Sequence, residues 1–130
     1  MRSPTGGVTV NIETALKEAM AIEGAIGAAL VDYESGMSLG ALGGGPGLDL
    51  EIAAAGNTEV VRAKVRTLEA LSIDDAIEDI LITLGGQYHL IRLMDRGPAR
   101  LFLYLALNRE RANLALARHH LRRIEGELSI

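Results

Sequence analysis

The chain has 130 residues, the usual length of one compact domain, and its 48% apolar content fills a core and excludes a disordered chain. The net charge of −4 is mild and of the wrong sign for nucleic acid, and the absence of cysteine excludes a disulfide framework, a thiolate zinc site and a cysteine nucleophile. With 3% aromatic residues and no Trp, the core must be built from Leu, Ile, Val and Ala.

Residues 1–10, with Pro4, Gly6 and Gly7, read as a flexible lead, and residues 11–130 as one domain. Met1 to Gly7 hold no apolar stretch of the kind a secretory signal uses, and no run approaches the roughly 18–20 apolar residues that span a bilayer. The expectation is a soluble cytoplasmic domain. Asn11 is a candidate N-cap, and Ile12, Ala15, Leu16, Ala19 and Met20 follow at spacings of three and four, which predicts a helix over 11–23 ended near Gly24. Ala25 to Val31 is apolar on both parities, as in a strand covered on both faces. Asp32 to Gly36 supplies turn residues, and Met37 to Leu42 returns to complete a hairpin. Gly43-Gly44-Gly45-Pro46-Gly47 then breaks regular structure and reads as a mobile loop.

Asp49 can cap a long helix to Leu71, roughly 33 Å at about 1.5 Å per residue. Leu50, Ala54, Asn57, Val61, Val65 and Leu68 form its core stripe. Ala53, Gly56, Val60, Ala63 and Thr67 form a flank of small residues, and Glu59, Arg62, Arg66 and Glu69 a charged face able to pair at i,i+3. After a connection over 72–76 come three apolar segments, Glu78–Leu84, Gln87–Met94 and Arg100–Leu107, parted by Gly85-Gly86 and by Asp95-Arg96-Gly97-Pro98. Connections this short force antiparallel pairing. The third segment is apolar on both faces and belongs in the middle of a sheet. Asn108 is the expected cap of a last amphipathic helix carrying Leu114, Ala117, Leu121, Ile124 and Leu128. The order α-β-β-α-β-β-β-α describes an α/β (α+β) fold, a five-stranded antiparallel sheet with helices on both faces.

That order resembles the roadblock/LC7 family, whose fold is profilin-like. Gly27-Ala28-Ala29-Leu30-Val31-Asp32 with Ser35-Gly36 is similar to its first strand and turn, and Leu50-Glu51-Ile52-Ala53-Ala54-Ala55 to the start of its long helix. Ile77 to Leu84 resembles its third strand, and Leu101 to Leu105 followed by Asn113 to Arg118 its final strand and helix. The resemblance spans residues 11–128. It implies a non-enzymatic module without cofactor that dimerises by pairing third strands, here through Asp79, Ile80, Leu81, Ile82 and Thr83. The long helices would lie together through Ala53, Gly56, Asn57, Val60 and Ala63. Bacterial members associate with small Ras-like GTPases, eukaryotic ones serve dynein or lysosomal GTPase scaffolds, and in actinobacteria similar domains share an operon with a histidine-kinase-like protein and a GTPase. The implied function is a homodimeric scaffold or regulator of a small GTPase, with Glu59, Arg62 and Arg66 as the candidate partner-binding residues.

The residues alone agree on the edge: Ile80, Leu81, Ile82 and Leu84 carry no Pro or Lys to guard a flat strand. Other chemistry is thin. The glycine loop is followed by Leu48-Asp49 rather than the Lys-Ser/Thr of a phosphate loop. His119 and His120 point about 100° apart on a helix, so they poorly serve one metal ion, and no serine-hydrolase elbow is present. Arg109, Arg111, Arg118, Arg122 and Arg123 make the last helix basic, a solvated face or else a surface for an acidic partner or an anionic membrane. Asn57 on an apolar stripe needs a hydrogen-bond partner, in the core or in a twofold mate. The rival function is a small-molecule sensor with its pocket between sheet and helix.

Overall fold

The computed structural model describes residues 10–96 and 98–129. The expected flexible lead lies outside them except for Val10, which is fixed rather than loose. Its N–H donates to the Glu127 carbonyl and its own carbonyl accepts from Ser129 N–H, both at 2.8 Å, so Val10 is tied to the segment that follows α3. The elements are α1 (Ile12–Met20), β1 (Ala25–Asp32), β2 (Met37–Gly43), α2 (Leu50–Ala70), β3 (Asp79–Thr83), β4 (Gln87–Arg96), β5 (Ala99–Asn108) and α3 (Leu114–Glu127). This is the element order read from the sequence. Gly97, in the expected turn between β4 and β5, lies outside the described residues.

The five strands run in the spatial order β2-β1-β5-β4-β3, and every neighbouring pair is antiparallel. Strand β5 is therefore central, as its two apolar faces require. Leu101, Leu103, Leu105 and Leu107 point into one core shared with α1 and α3. Phe102, Tyr104 and Ala106 point into a second core beneath α2. Each leucine so buried contributes about 2 kcal/mol relative to an exposed one. The sheet is the shared wall of two separate cores, and the alternation along β5 is what divides them.

Three local expectations are corrected. Asn108 does not cap the last helix, because β5 runs through it and residues 109–112 form a turn that carries the chain onto the sheet face. Asn113 is the cap, its Oδ1 accepting from Leu116 N–H at 3.0 Å. The first helix stops at Met20 rather than 23, with Ala21 as C-cap and Gly24 at φ +89° turning the chain into β1. The glycine loop is not a slack connection: Gly45 and Leu48 exchange two backbone hydrogen bonds at 3.0 and 3.1 Å. At its entrance Gly43 and Gly44 take φ of +78° and +80°, and a Cβ on Gly43 would meet the Ile26 carbonyl at 2.6 Å. Only glycine fits that approach.

Helix α2 begins under Asp49, whose side chain accepts from Glu51 and Ile52 N–H at 3.0 and 3.2 Å. Ala54, Thr58 and Val61 are its buried line, with Leu50, Asn57, Val65 and Leu68 half-buried beside it. It packs on β1 and β2. Among the described residues no helix packs on the part of that sheet face nearest β3.

Candidate protein-interaction face

Alternation along β3 sends Ile80 and Ile82 toward the α2 side of the sheet and Leu81 toward the α1 and α3 side. Asp79 to Ile82 are half-buried and Thr83 is exposed. The strand pairs with β4 on one side in unbroken register, from Asp79 opposite Arg92 to Thr83 opposite Tyr88, and has no described neighbour on the other. Arg118 of α3 holds Asp79 in a two-point contact, Nε to Oδ2 at 3.0 Å and Nη2 to Oδ1 at 2.8 Å. Such a fork fixes geometry as well as charge. The edge strand is thereby clamped to the helix behind it while its outer rim stays open.

The flank of α2 that faces His89 of β4 and Tyr104 of β5 lies on the side of the helix toward this edge. Ile52 is 71% exposed and Val60 38% exposed, and Gly56 between them and Ala63 one turn beyond are also exposed. Ala53 and Asn57 are half-buried and line a cavity of about 330 Å3 together with Leu48, Asp49, His89 and Tyr104. The Asn57 amide has no hydrogen bond to any described residue. Thr58, the buried polar group of the helix, instead satisfies itself: its hydroxyl donates to the Ala54 carbonyl at 2.7 Å. Two large apolar side chains and an unpaired amide on one helix flank, beside an open strand edge, form a surface suited to another protein.

The cavity floor is polar in a defined way. His89 Nε2 lies 2.7 Å from Gln87 Oε1, and Nδ1 lies 3.1 Å from the Tyr104 hydroxyl, with the two rings edge to face at 5.4 Å between centroids. Burial lowers the His89 pKa, and burial pushes the Tyr104 phenol up to about 12. The sequence reading passed over this cluster. Only part of its signal was available: His89 and Tyr104 share the α2-facing parity of neighbouring antiparallel strands, but their contact also depends on the strand register.

The charged candidates separate. Arg62 reaches across to the Glu34 carbonyl in the β1–β2 turn and stands 3.5 Å from Glu59, so it is tied into the fold. Arg66 is exposed and has no ion pair among the described residues. On the opposite side of the sheet a second cavity of about 320 Å3 opens between α1 and α3. The rings of His119 and His120 stand 5.9 Å apart at 58°, and among the described residues no group of three acidic or histidine side chains could hold a metal ion. No described helix is long and apolar enough to cross a membrane.

No protein-family model matches the chain, and no curated protein matches it by sequence. Solved structures match it in fold. MglB of Myxococcus xanthus superposes with a TM-score of 0.71 at 16% identity, over 88% of this chain and 78% of that one. A roadblock/LC7 domain from Streptomyces avermitilis gives a TM-score of 0.74 at 11% identity, over 90% and 93%. The gliding protein MglB of Thermus thermophilus gives 0.70 at 18% identity, over 94% and 97%. The chain has the roadblock/LC7 fold.

Proposed function

We propose that this chain is a non-catalytic regulatory module that pairs with a second copy of itself and presents the paired α2 helices to a small Ras-like GTPase. One observation carries the reading: on a roadblock/LC7 fold the edge of β3 has no described strand beside it, and the flank of α2 that faces β5 and β4, on the same side of the helix as that edge, leaves Ile52 and Val60 exposed. Pairing β3 with its twofold mate would satisfy the outer backbone groups of both strands and extend the sheet across two chains. The second α2 would then fill the helix-free part of the face, against Ala53, Gly56, Asn57, Val60 and Ala63. Arg66, with Glu59 and Glu69, would stay on the outer surface of the helix pair for the GTPase, whereas Arg62 serves the fold. The GTPase is supplied by the roadblock resemblance, whose bacterial members associate with such proteins, and a histidine-kinase-like protein of the same operon is a further partner on the same ground.

The ligand-sensor reading finds a cavity where it expects one, between helix and sheet. Exposed Ile52 and Gly47 at its rim make it an open surface depression rather than an enclosed ligand chamber.

Light scattering across a dilution series tests the dimer. The expected mass is near twice 13.8 kDa. Ile52→Arg, at a position too exposed to harm the fold, and Leu81→Lys, on the edge strand, both shift it to that of one chain. A wild-type monomer at all concentrations overturns the reading. Given the dimer, nucleotide turnover by a co-purifying Ras-like GTPase, with and without Arg66→Ala, tests the platform.

A further inference from the structure

The hydrogen bonds around His89 specify one tautomer of the neutral ring. Gln87 Oε1, an amide oxygen, can only accept, so Nε2 at 2.7 Å carries the hydrogen. Nδ1 of the neutral ring is then the acceptor, and the Tyr104 hydroxyl 3.1 Å away donates to it. Tyr104 is itself buried and stays protonated through neutral pH, so it offers the imidazole a donor and no negative charge. The immediate neighbours are uncharged. The cross-strand neighbours of His89 are Ile82 on β3 and Ala106 on β5, both apolar. From α2 it is faced by Ile52, Ala53 and Asn57. Among the described residues one charged side chain lines the cavity, Asp49, whose Oδ1 accepts from the Glu51 and Ile52 N–H groups of the helix cap.

This neutral cluster sits beneath the α2 flank that a second copy would cover. We propose that His89 is a proton-sensitive determinant of docking on this face: a second copy of the chain docks over the neutral imidazole and is released when the ring takes up a proton. The inference rests on the dimer reading above. A docked copy removes the water that an imidazolium would use, and the cavity's one described carboxylate, Asp49, is engaged through Oδ1 in the α2 cap rather than hydrogen-bonded to His89. Protonation also turns Nδ1 from acceptor to donor, so the Tyr104 hydroxyl loses its acceptor. Burial already depresses the His89 pKa in the single chain, and docking extends that burial. The paired state therefore binds fewer protons than the free chains. Pairing is strongest above the free-chain pKa and weakens as pH falls through it.

The test is the dissociation constant of the full chain at pH 7.5 and pH 5.5, at constant ionic strength, by sedimentation over a dilution series. The expected result is a roughly tenfold weakening at the lower pH, shared by the two His89 rings of the pair. His89→Gln keeps a donor and an acceptor but cannot titrate, and its dissociation constant is expected to be flat across that interval. His119→Gln with His120→Gln, on α3, is expected to keep the wild-type slope. A second measurement needs no variant: the ring titration of His89 by NMR in wild type, at protein concentrations above and below the dissociation constant. The expected pKa is lower in the concentrated, paired sample. Equal dissociation constants at the two pH values, a wild-type slope in His89→Gln, or identical ring titrations each overturn the proposal. A dimer that ignores pH overturns this inference alone, whereas a chain monomeric at both pH values overturns the dimer reading and takes this inference with it.

Discussion

Asp79 and Arg118 show how one side chain serves the edge strand without closing it. The Asp79 side chain is 15% exposed and that of Arg118 43%, so solvent screens the pair only in part. Two charge-assisted hydrogen bonds at 2.8 and 3.0 Å hold α3 against β3. Asp79→Ala removes both and strands the guanidinium, and the expected loss is about 1–2 kcal/mol in urea unfolding. Tyr104 yields a prediction at the other end of the pH scale. Its phenol is pushed from the ordinary value of 10 up to about 12 by burial in the sheet. A raised pKa of this kind stabilises the fold fully below pH 10 and loses that contribution as pH climbs from 10 toward 12. Thermal unfolding should therefore fall steeply over that interval, and Tyr104→Phe should flatten the fall.

Helix α2 joins an apolar stripe to a cap that the sequence made plain. Asp49→Ala leaves the Glu51 and Ile52 N–H groups without their acceptor, and the expected cost is about 1 kcal/mol in urea unfolding. Legibility followed the strength of the local pattern. The two-faced apolar run of β5, the stripe on α2 and the caps at Asn11 and Asp49 all depend on near neighbours in sequence, and all were readable. Asn108 and Asn113 are equally good caps in isolation, and only the length of β5, set by pairing with β1 and β4, decides between them. Thr58 entered the buried line because its hydroxyl bonds its own helix, a local option open to threonine that a polar-versus-apolar reading misses. Arg62 left the charged face because the β1–β2 turn, remote in sequence, offers it the Glu34 carbonyl. The polar floor under α2 needed strand register as well as parity, since His89 and Tyr104 meet across two strands.

A sheet that is not closed has two edges, and this one treats them differently. At β2 the pairing with β1 slips between Leu30 and Val31, a bulge that bends the outer strand. Exposed Met37 and Leu39 make β2 apolar enough to attract a partner, and the bulge is the kind of irregularity that discourages strand addition. At β3 the register runs unbroken over its five residues, and the strand is held square to the sheet by Arg118. An incoming strand meets regular geometry only there. The α2 flank with Ile52 and Val60 also lies on the β3 side, so one docking event can bury both features. Amide hydrogen exchange separates the two edges directly. In the paired state the outward N–H groups of Asp79 to Thr83 should be protected in proportion to protein concentration, because dilution reopens the edge. Those on the outer rim of β2 should exchange rapidly at every concentration. Ile52→Arg should abolish the concentration-dependent protection at β3 while leaving β5, buried at the centre of the sheet, as slow as before. Protection appearing at β2 instead would move the interface to the opposite edge, and α2 would then face solvent rather than a twofold mate.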